Sequence, residues 1–217
     1  MRTLLTILMA TMMMLLTACG GGNAQTGADT SAQKETQTTA SARSDQRVLV
    51  VYFSRADENT GGVGYIEKGN TKILAEMIAE RTHGDIFEIK TVKSYPKEYR
   101  PATEAAKQEK EEHARPEIVG ELPDLSKYDV VFLGYPIWWS DLPMPVYTFL
   151  DGENFAGKTI LPFCTHEGSG LSGTDRTIAD TTKTEVKDGF ALAGHIAQNS
   201  PDEARSALYE WMSKQGY

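Results

Sequence analysis

The chain has 217 residues, a formal net charge of -8 and a hydrophobic content of 40%. A chain of this length accommodates one domain with additional segments. The excess of acidic residues argues against a surface that binds nucleic acid or an anionic membrane, so we expect no nucleic-acid partner. Only two cysteines occur, Cys19 and Cys164, which excludes a fold organised by disulfide bonds.

The first residues have the layout of an export signal. Arg2 precedes an apolar run over residues 4–16, which is shorter than the roughly 18 residues that a spanning helix needs. The tetrapeptide Leu-Thr-Ala-Cys at 16–19 resembles the lipobox of bacterial lipoproteins. This resemblance implies a signal peptide over residues 1–18, cleavage before Cys19 and acylation of Cys19. The alternative is an ordinary secreted protein in which this cysteine occurs by chance.

We divide the rest into a tether over residues 19–46 and a folded domain over residues 47–217. The tether is dominated by Gly, Ala, Ser, Thr and Gln, which cannot form an apolar core, so we expect it to be disordered. It would hold the domain away from a membrane that the chain touches only through its N-terminal lipid. The expected location is the bacterial cell envelope, outside the cytoplasm.

The folded part alternates short apolar runs with one-sided apolar stretches, which predicts an α/β fold with a parallel sheet. Strands are predicted at residues 48–53, 85–90, 130–135, 158–165 and 190–192. Helices are predicted at residues 70–81, 145–150 and 172–182, and after Ser200. A very polar helix over residues 102–113, in which only Ala105 and Ala106 could pack, is expected to be a solvated insertion on the surface.

The loop after the first strand contains a candidate anion site. Ser54 ends the strand, a glycine-rich segment follows over residues 55–69, and a helix begins at Asn70. A hydroxyl, backbone amides and a helix N-terminus together favour a bound phosphate. The spacing matches neither a Walker loop nor a Gly-x-Gly-x-x-Gly turn. A phosphate site and a flexible loop without a ligand therefore both remain open.

Two tryptophans follow the third predicted strand, in the segment Gly-Tyr-Pro-Ile-Trp-Trp at 134–139. Ligands of open α/β sheets bind just beyond the carboxyl ends of parallel strands, which is where these rings are expected. The alternative is that one indole belongs to the core and the other is half-exposed packing. The residues alone do not decide between the two.

The loop after the fourth strand reads Thr-His-Glu-Gly-Ser-Gly at 165–170, and its glycines allow backbone amides to approach a ligand closely. His166 could be a general acid, a metal ligand or a hydrogen-bond donor, although no other histidine has metal-ligand spacing to it. Cys164 is expected to be a core residue rather than a redox thiol. The spacing of Gly168, Ser169 and Gly170 does not fit the nucleophile elbow of a serine hydrolase.

Together the three loops suit one flat, phosphorylated heterocycle that lies across the carboxyl end of the sheet. From Val48 onwards the chain resembles the flavodoxin family, and more narrowly a bacterial, lipoprotein-type group with an enlarged first loop. The match lies in Val-Tyr-Phe-Ser at 51–54, Gly-Asn-Thr at 69–71, Gly-Tyr-Pro-Ile-Trp-Trp at 134–139 and Cys-Thr-His-Glu-Gly-Ser-Gly at 164–170. The resemblance implies a doubly wound, three-layer α/β/α fold with a five-stranded parallel sheet in the order 2-1-3-4-5, and bound FMN.

The resemblance also assigns a role to each loop. The first loop would hold the FMN phosphate through Ser54, Asn70 and Thr71, with Arg55 as a further candidate. The second would cover the isoalloxazine ring through Pro136, Ile137, Trp138 and Trp139. The third would reach the pyrimidine edge of the ring through Thr165, His166, Glu167, Gly168, Ser169 and Gly170. Because many short flavodoxins stack a tyrosine where this chain has His166, the outer ring face is expected to be open or covered by Tyr65 or Tyr95.

Three functional hypotheses follow from this resemblance. The first is an electron carrier outside the cytoplasm, which passes electrons through FMN to a redox partner protein or a quinone. The second is an FMN-dependent oxidoreductase, similar to quinone reductases, that acts on a small acceptor. The third keeps the fold without the flavin, as a lipid-anchored interaction domain. No catalytic residue and no metal ligand is assigned.

Overall fold

The computed structural model describes residues 46–217. The predicted signal peptide, the lipidation site Cys19 and nearly all of the predicted tether lie outside the described residues. Within residues 46–217, none of the helices combines the length and the apolar character needed to cross a bilayer.

The described part of the chain contains eight strands, six α-helices and a 3-10 helix at Leu125–Lys127. The strands are β1 (Val48–Phe53), β2 (Asp57–Asn59), β3 (Gly64–Ile66), β4 (Asp85–Ile89), β5 (Val130–Pro136), β6 (Thr159–His166), β7 (Glu185–Val186) and β8 (Phe190–Ala193). The helices are α1 (Asn70–Thr82), α2 (Tyr99–Glu111), α3 (Met144–Gly152), α4 (Thr174–Thr182), α5 (Gly194–Asn199) and α6 (Pro201–Gln215). The β2–β3 hairpin, β7 and α5 were not predicted from the sequence.

The central sheet is parallel, with the order β4-β1-β5-β6 and with β7 and β8 both beside β6. β7 pairs with the start of β6 at Thr159 and Ile160, and β8 pairs with its end from Phe163 to His166. These two short strands therefore share the fifth position of the sheet. The predicted order 2-1-3-4-5 is confirmed, with a fifth strand in two pieces.

Alternate residues of the central strands point into two separate cores. Val50 and Phe132 pack on one face of the sheet against α1 and α6, whereas Val51 and Val131 pack on the other face against α3 and α4. Because both faces are covered, the strands are apolar throughout, as expected for a parallel sheet. The predicted three-layer α/β/α fold is confirmed.

Helix α2 differs from its prediction. It begins at Tyr99 rather than at Ala102, and it packs through Ala102 and Ala106, while Ala105 is only partly buried. Residues four apart lie on the same side of a helix, so these two alanines give α2 one narrow packing face among charged residues. The prediction that only Ala105 and Ala106 could pack is wrong, because Ala102 packs together with Ala106, and the face that they form borders the site described next.

Candidate functional site

A cavity of about 460 Å³ opens at the carboxyl ends of β1, β5 and β6. All three loops singled out in the sequence contribute to it, and α2 and the β2–β3 segment close its outer side. The lining residues are Arg55, Asn59, Thr60, Asn70, Tyr99, Ala102, Thr103, Ala106, Pro136, Ile137, Trp138, Trp139, Thr165, His166 and Glu167. This is the position at which open parallel sheets bind ligands.

The first loop brings Ser54 against the N-terminus of α1. The Ser54 hydroxyl accepts a hydrogen bond from the backbone N–H of Lys72 at 3.1 Å. The N-cap of α1 is Gly69, and a Cβ there would lie 2.5 Å from the carbonyl oxygen of Arg55 and still closer to Ser54 Oγ. Only glycine therefore fits. The first N–H groups of a helix have no partner within it, so the turn at Asn70 retains donors for an anion.

Thr71, a predicted phosphate ligand, also contacts the third loop. Its side chain is buried, and its hydroxyl forms a hydrogen bond with the hydroxyl of Thr165, with 2.8 Å between the two Oγ1 atoms. Thr165 lines the cavity, but Thr71 and Ser54 are not among the lining residues. Thr71 thus joins the first loop to the third beneath the cavity floor.

Arg55 connects the two segments that close the cavity. Its guanidinium donates to the carbonyl oxygens of Glu58 at 2.5 Å, Pro96 at 2.7 Å and Lys97 at 2.5 Å. These carbonyls belong to the β2–β3 segment and to the approach to α2. Arg55 Nε is buried, and within residues 46–217 it has no hydrogen-bond partner. Arg55 therefore orders the enlarged first loop.

The second loop is a two-residue reverse turn that contains Trp139 and directly follows Trp138. Trp138 and Asp141 exchange backbone hydrogen bonds of 3.0 and 3.1 Å, and the two residues between them, Trp139 and Ser140, have φ values of 52° and 59°. Such turns favour Asn and Gly, because other residues are strained at positive φ. A hydrogen bond to α2 helps to offset this strain, because Trp139 Nε1 donates to the carbonyl oxygen of Thr103 at 2.9 Å.

Lys110 adds a second connection between α2 and this turn. Its Nζ donates to the carbonyl oxygen of Trp139 at 2.8 Å and forms an ion pair with Asp141 at 3.1 Å. The charged residues of α2 are thus partly used to fix the second loop. This is a role that the charge pattern of the helix did not indicate.

The two indoles differ in their packing, although both line the cavity. Trp138 is partly buried and makes edge contacts with Phe53 and Tyr95, at ring-centroid distances of 5.2 and 5.0 Å. Trp139 is 49% exposed. The pair therefore has the features of both interpretations. One indole packs on the core and the other is half-exposed, and both indoles also line the cavity.

In the third loop, His166 is arranged as a neutral donor. Its Nδ1 accepts a hydrogen bond from the backbone N–H of Gly168 at 2.9 Å, which places the ring proton on Nε2. Burial lowers the pKa of His166 below its ordinary value, which disfavours the charged form. Gly168, Ser169 and Gly170 are not among the lining residues of the cavity. They shape the loop that carries His166.

Glu167 connects the third loop to α5. Its carboxylate accepts the backbone N–H of His195 at 3.0 Å and is paired with His195 Nδ1 at 2.8 Å. A Cβ on Gly61 or Gly194 would collide with this carboxylate, so two glycines make room for it. His195 was not predicted from the sequence, because α5 was not predicted and the two residues are 28 positions apart.

The outer wall of the cavity holds residues that the sequence analysis missed. These are Asn59 and Thr60 of the β2–β3 segment and Tyr99, Ala102, Thr103 and Ala106 of α2. Tyr65 is 64% exposed and pairs with Asp57, while Tyr95 packs beneath Trp138, and neither of them lines the cavity. The tyrosine at the cavity wall is Tyr99. In the sequence, the four-residue spacing of Ala102 and Ala106 was the pattern that could have identified α2 as part of this wall.

Cys164 lies in β6 with its side chain fully buried. Burial raises the pKa of its thiol to about 12, because a thiolate would lose its solvation. The thiolate is the reactive form of cysteine, so this residue is unsuited to redox chemistry. The prediction that Cys164 belongs to the core is confirmed.

This burial predicts slow alkylation of the native protein. In a Cys19→Ala chain, Cys164 is the remaining cysteine, and we expect iodoacetamide at about pH 9 to leave it unmodified although a free thiol would be largely ionised there. The same reagent should modify it fully in denaturant. Mass spectrometry measures both results, and rapid labelling of the native chain would contradict the burial of this thiol.

The comparisons with known proteins agree with this architecture. A family model named Flavodoxin matches residues 47–214. The structure is similar to that of a candidate flavoprotein from Bacteroides eggerthii, with 26% sequence identity, a TM-score of 0.58 and coverage of 78% of this chain and 97% of the other. A candidate flavoprotein from Bacteroides uniformis gives 25% identity, a TM-score of 0.59 and coverage of 77% and 98%. No curated protein sequence gives a significant match.

A flavoprotein from Lactobacillus acidophilus, whose crystal structure is a complex with FMN, shares the fold at 19% identity, with a TM-score of 0.54 and coverage of 70% of this chain and 97% of the other. The family match spans nearly the whole of the described region. The chain therefore belongs to the flavodoxin family, as the sequence motifs predicted. FMN is the cofactor that this family assignment supports.

Proposed function

We propose that this protein holds FMN in the cavity at the carboxyl end of the sheet and carries electrons through it outside the cytoplasm. The observation that supports this most strongly is the convergence of three loops on one cavity of about 460 Å³. One loop supplies a helix N-terminus, the second supplies two indoles, and the third supplies a neutral histidine. These features match the phosphate, the ring and the polar edge of a flavin nucleotide.

The first loop fits a phosphate. The N-terminal turn of α1 retains unpaired backbone donors, and both Asn70 and the cationic Arg55 line the cavity. Because residue 69 is glycine, Ser54 and the Arg55 carbonyl can pack directly against the start of α1. Asn70, Arg55 and the first backbone N–H groups of α1 would therefore hold the phosphate. Ser54 would fix this turn through its hydrogen bond with Lys72, and Thr71 would act through its hydrogen bond to Thr165.

The second and third loops fit the ring. Pro136, Ile137, Trp138 and Trp139 present an apolar and aromatic surface to the cavity. His166 can donate from Nε2 to an acceptor at the polar edge of the ring, and Thr165 adds a hydroxyl. FMN, when bound, supplies reversible one- and two-electron transfer. The chain's own contribution is to orient the ring and to limit its contact with water.

The proposed location rests on the sequence of the first residues. A lipidated Cys19 would anchor the chain at the cell envelope, and the tether would let the folded domain extend away from the membrane surface. The proposed partners are then a membrane-associated redox protein or a quinone. Nicotinamide cofactors are scarce outside the cytoplasm, so a donor in the membrane suits this location better.

A second candidate function is an FMN-dependent oxidoreductase that acts on a small acceptor. The outer wall supports it, because α2 and the β2–β3 segment close the side of the cavity with Tyr99, Ala102 and Thr103. A small flat molecule can enter a walled cavity, whereas a partner protein can touch only its rim. Rapid oxidation of NAD(P)H with a quinone favours this enzyme, whereas inertness towards both favours the carrier.

A flavin titration tests the proposed function. FMN should bind with a dissociation constant on the order of 1 µM or lower, measured by quenching of flavin fluorescence against the indoles. Riboflavin is the matched control, because it has the same ring without the phosphate, and it should bind at least roughly tenfold more weakly. Equal binding of the two would remove the phosphate site from the proposal, and no binding of FMN would remove the redox function.

A further inference from the structure

Tyr95 and Glu109 form a hydrogen-bonded pair behind the wall of the cavity. The Tyr95 hydroxyl donates to Glu109 Oε2 at 2.5 Å, and both side chains are partly buried. The Tyr95 ring meets the edge of the Trp138 ring at a centroid distance of 5.0 Å. Trp138 in turn lines the cavity. A phenol with a carboxylate partner is thus in direct contact with an indole that faces the ligand space.

Other tyrosines also have carboxylate partners. Tyr65, Tyr128 and Tyr147 donate to aspartates at 2.7–2.8 Å. Of these four tyrosines, however, Tyr95 is the one whose ring contacts a tryptophan. The combination of an indole contact and a carboxylate partner therefore sets Tyr95 apart.

We propose that Trp138, Tyr95 and Glu109 form a relay that removes oxidising equivalents from the cavity. An oxygen-centred radical or a ruthenium(III) polypyridine at the cavity takes one electron from the Trp138 indole, is itself reduced by one electron, and leaves an indole radical cation. Tyr95 returns one electron to Trp138, and the phenolic proton passes to Glu109. Trp138 is then restored, Tyr95 is a neutral tyrosyl radical, and Glu109 is a neutral carboxylic acid, so electrons and protons balance.

Because Tyr95 is partly buried, its phenolic proton must leave together with the electron that it gives to Trp138. Burial raises the pKa of Tyr95 well above its ordinary range, so the phenolate is not formed, and Tyr95 can be oxidised only if its proton leaves as well. Burial also raises the pKa of Glu109, which makes its carboxylate a better proton acceptor. Because the hydrogen bond already joins the two atoms, the proton moves along an existing contact.

The relay goes beyond the proposed function and can be tested without FMN. The full-length chain is mixed with a photogenerated ruthenium(III) polypyridine, a one-electron oxidant strong enough to oxidise an indole. Transient absorption and electron paramagnetic resonance then follow indole and tyrosyl radicals. We expect the indole signal to decay as a tyrosyl signal grows, with a slower conversion in D₂O.

Three substitutions locate the radical. Tyr95→Phe should prolong the indole radical and remove most of the tyrosyl signal. Glu109→Gln keeps the shape of the side chain but is a poor proton acceptor, and should slow the conversion on the order of 100-fold, since a positioned base contributes about 10²–10⁴-fold. Tyr128→Phe is the matched control, because Tyr128 pairs with Asp85 at the opposite end of the sheet, and it should match the unmodified chain.

Each of the other outcomes overturns the relay. A tyrosyl signal of full strength in Tyr95→Phe would place the radical on another tyrosine. An unchanged rate in Glu109→Gln, together with no isotope effect in the unmodified chain, would remove Glu109 as the acceptor. The isotope measurement needs no substitution, so it decides the role of the proton even if a variant fails to fold. Since no flavin is added, these outcomes are separate from any failure of FMN binding.

Discussion

Gly69→Ala is expected to weaken FMN binding about 100-fold, because each hydrogen bond to a charged group contributes about 1.5–3 kcal/mol. The new Cβ would overlap Ser54 Oγ and the carbonyl oxygen of Arg55. Relief of this overlap moves Ser54 away from the N–H of Lys72 and opens the first turn of α1. The flavin titration measures the effect, with FMN losing far more affinity than riboflavin.

Gly152→Ala is the matched control for this substitution. A Cβ at Gly152 meets only the end of the Leu122 side chain, which can move, and Gly152 ends α3 rather than lining the cavity. FMN affinity should stay unchanged in this variant. If Gly69→Ala bound FMN as tightly as Gly152→Ala, the contact between Ser54 and the start of α1 would have no part in holding the phosphate.

Trp138→Ala is expected to lower the free energy of unfolding by about 3 kcal/mol, at the lower end of the range for loss of a large aromatic side chain, because Trp138 is only partly buried. The substitution removes edge contacts with Phe53 and Tyr95 and leaves a void beneath the cavity. FMN affinity should fall as well, since one aromatic surface is lost. Urea denaturation monitored by circular dichroism measures the stability.

Trp139→Ala separates packing from ligand contact. Its indole is half-exposed and is held by one hydrogen bond to Thr103, so its removal should cost about 1 kcal/mol. Both variants should bind FMN more weakly, but only Trp138→Ala should lose much stability. Equal destabilisation by the two substitutions would contradict the different packing that we assign to these residues.

The strands and the position of the site were predictable from local patterns. The apolar runs that became β1, β5 and β6 are buried on both faces and have no polar alternation, which is the signature of central parallel strands. Ligand-binding loops follow the carboxyl ends of such strands, so the same runs also located the three loops. The strand order came from the motifs shared with the flavodoxin family.

The outer wall could not be read from the sequence in the same way. Helix α2 is mostly polar, and its packing face consists of two alanines, Ala102 and Ala106, which give a weak hydrophobic signal. Its position depends on contacts with distant residues, such as the bonds from Arg55 to the carbonyls of Pro96 and Lys97. Contacts separated by some forty residues leave no local pattern.

The roles of individual site residues were also only partly predictable. Thr71 lies in the expected loop, but its hydroxyl is bound to Thr165, 94 positions away. Glu167 lines the cavity as expected, yet its carboxylate is paired with His195. Local sequence indicates which loop a residue occupies, whereas the direction of its side chain depends on partners that the fold brings together.

A crystal structure of the protein grown with FMN tests the central claim most directly. We predict that the phosphate lies at the first turn of α1 beside Ser54 and Asn70, and that the ring lies against Trp138 and Trp139. The polar edge of the ring should face Thr165 and His166. Density for FMN elsewhere on the surface, or a cavity closed by the side chains of α2 at saturating FMN, would contradict the account.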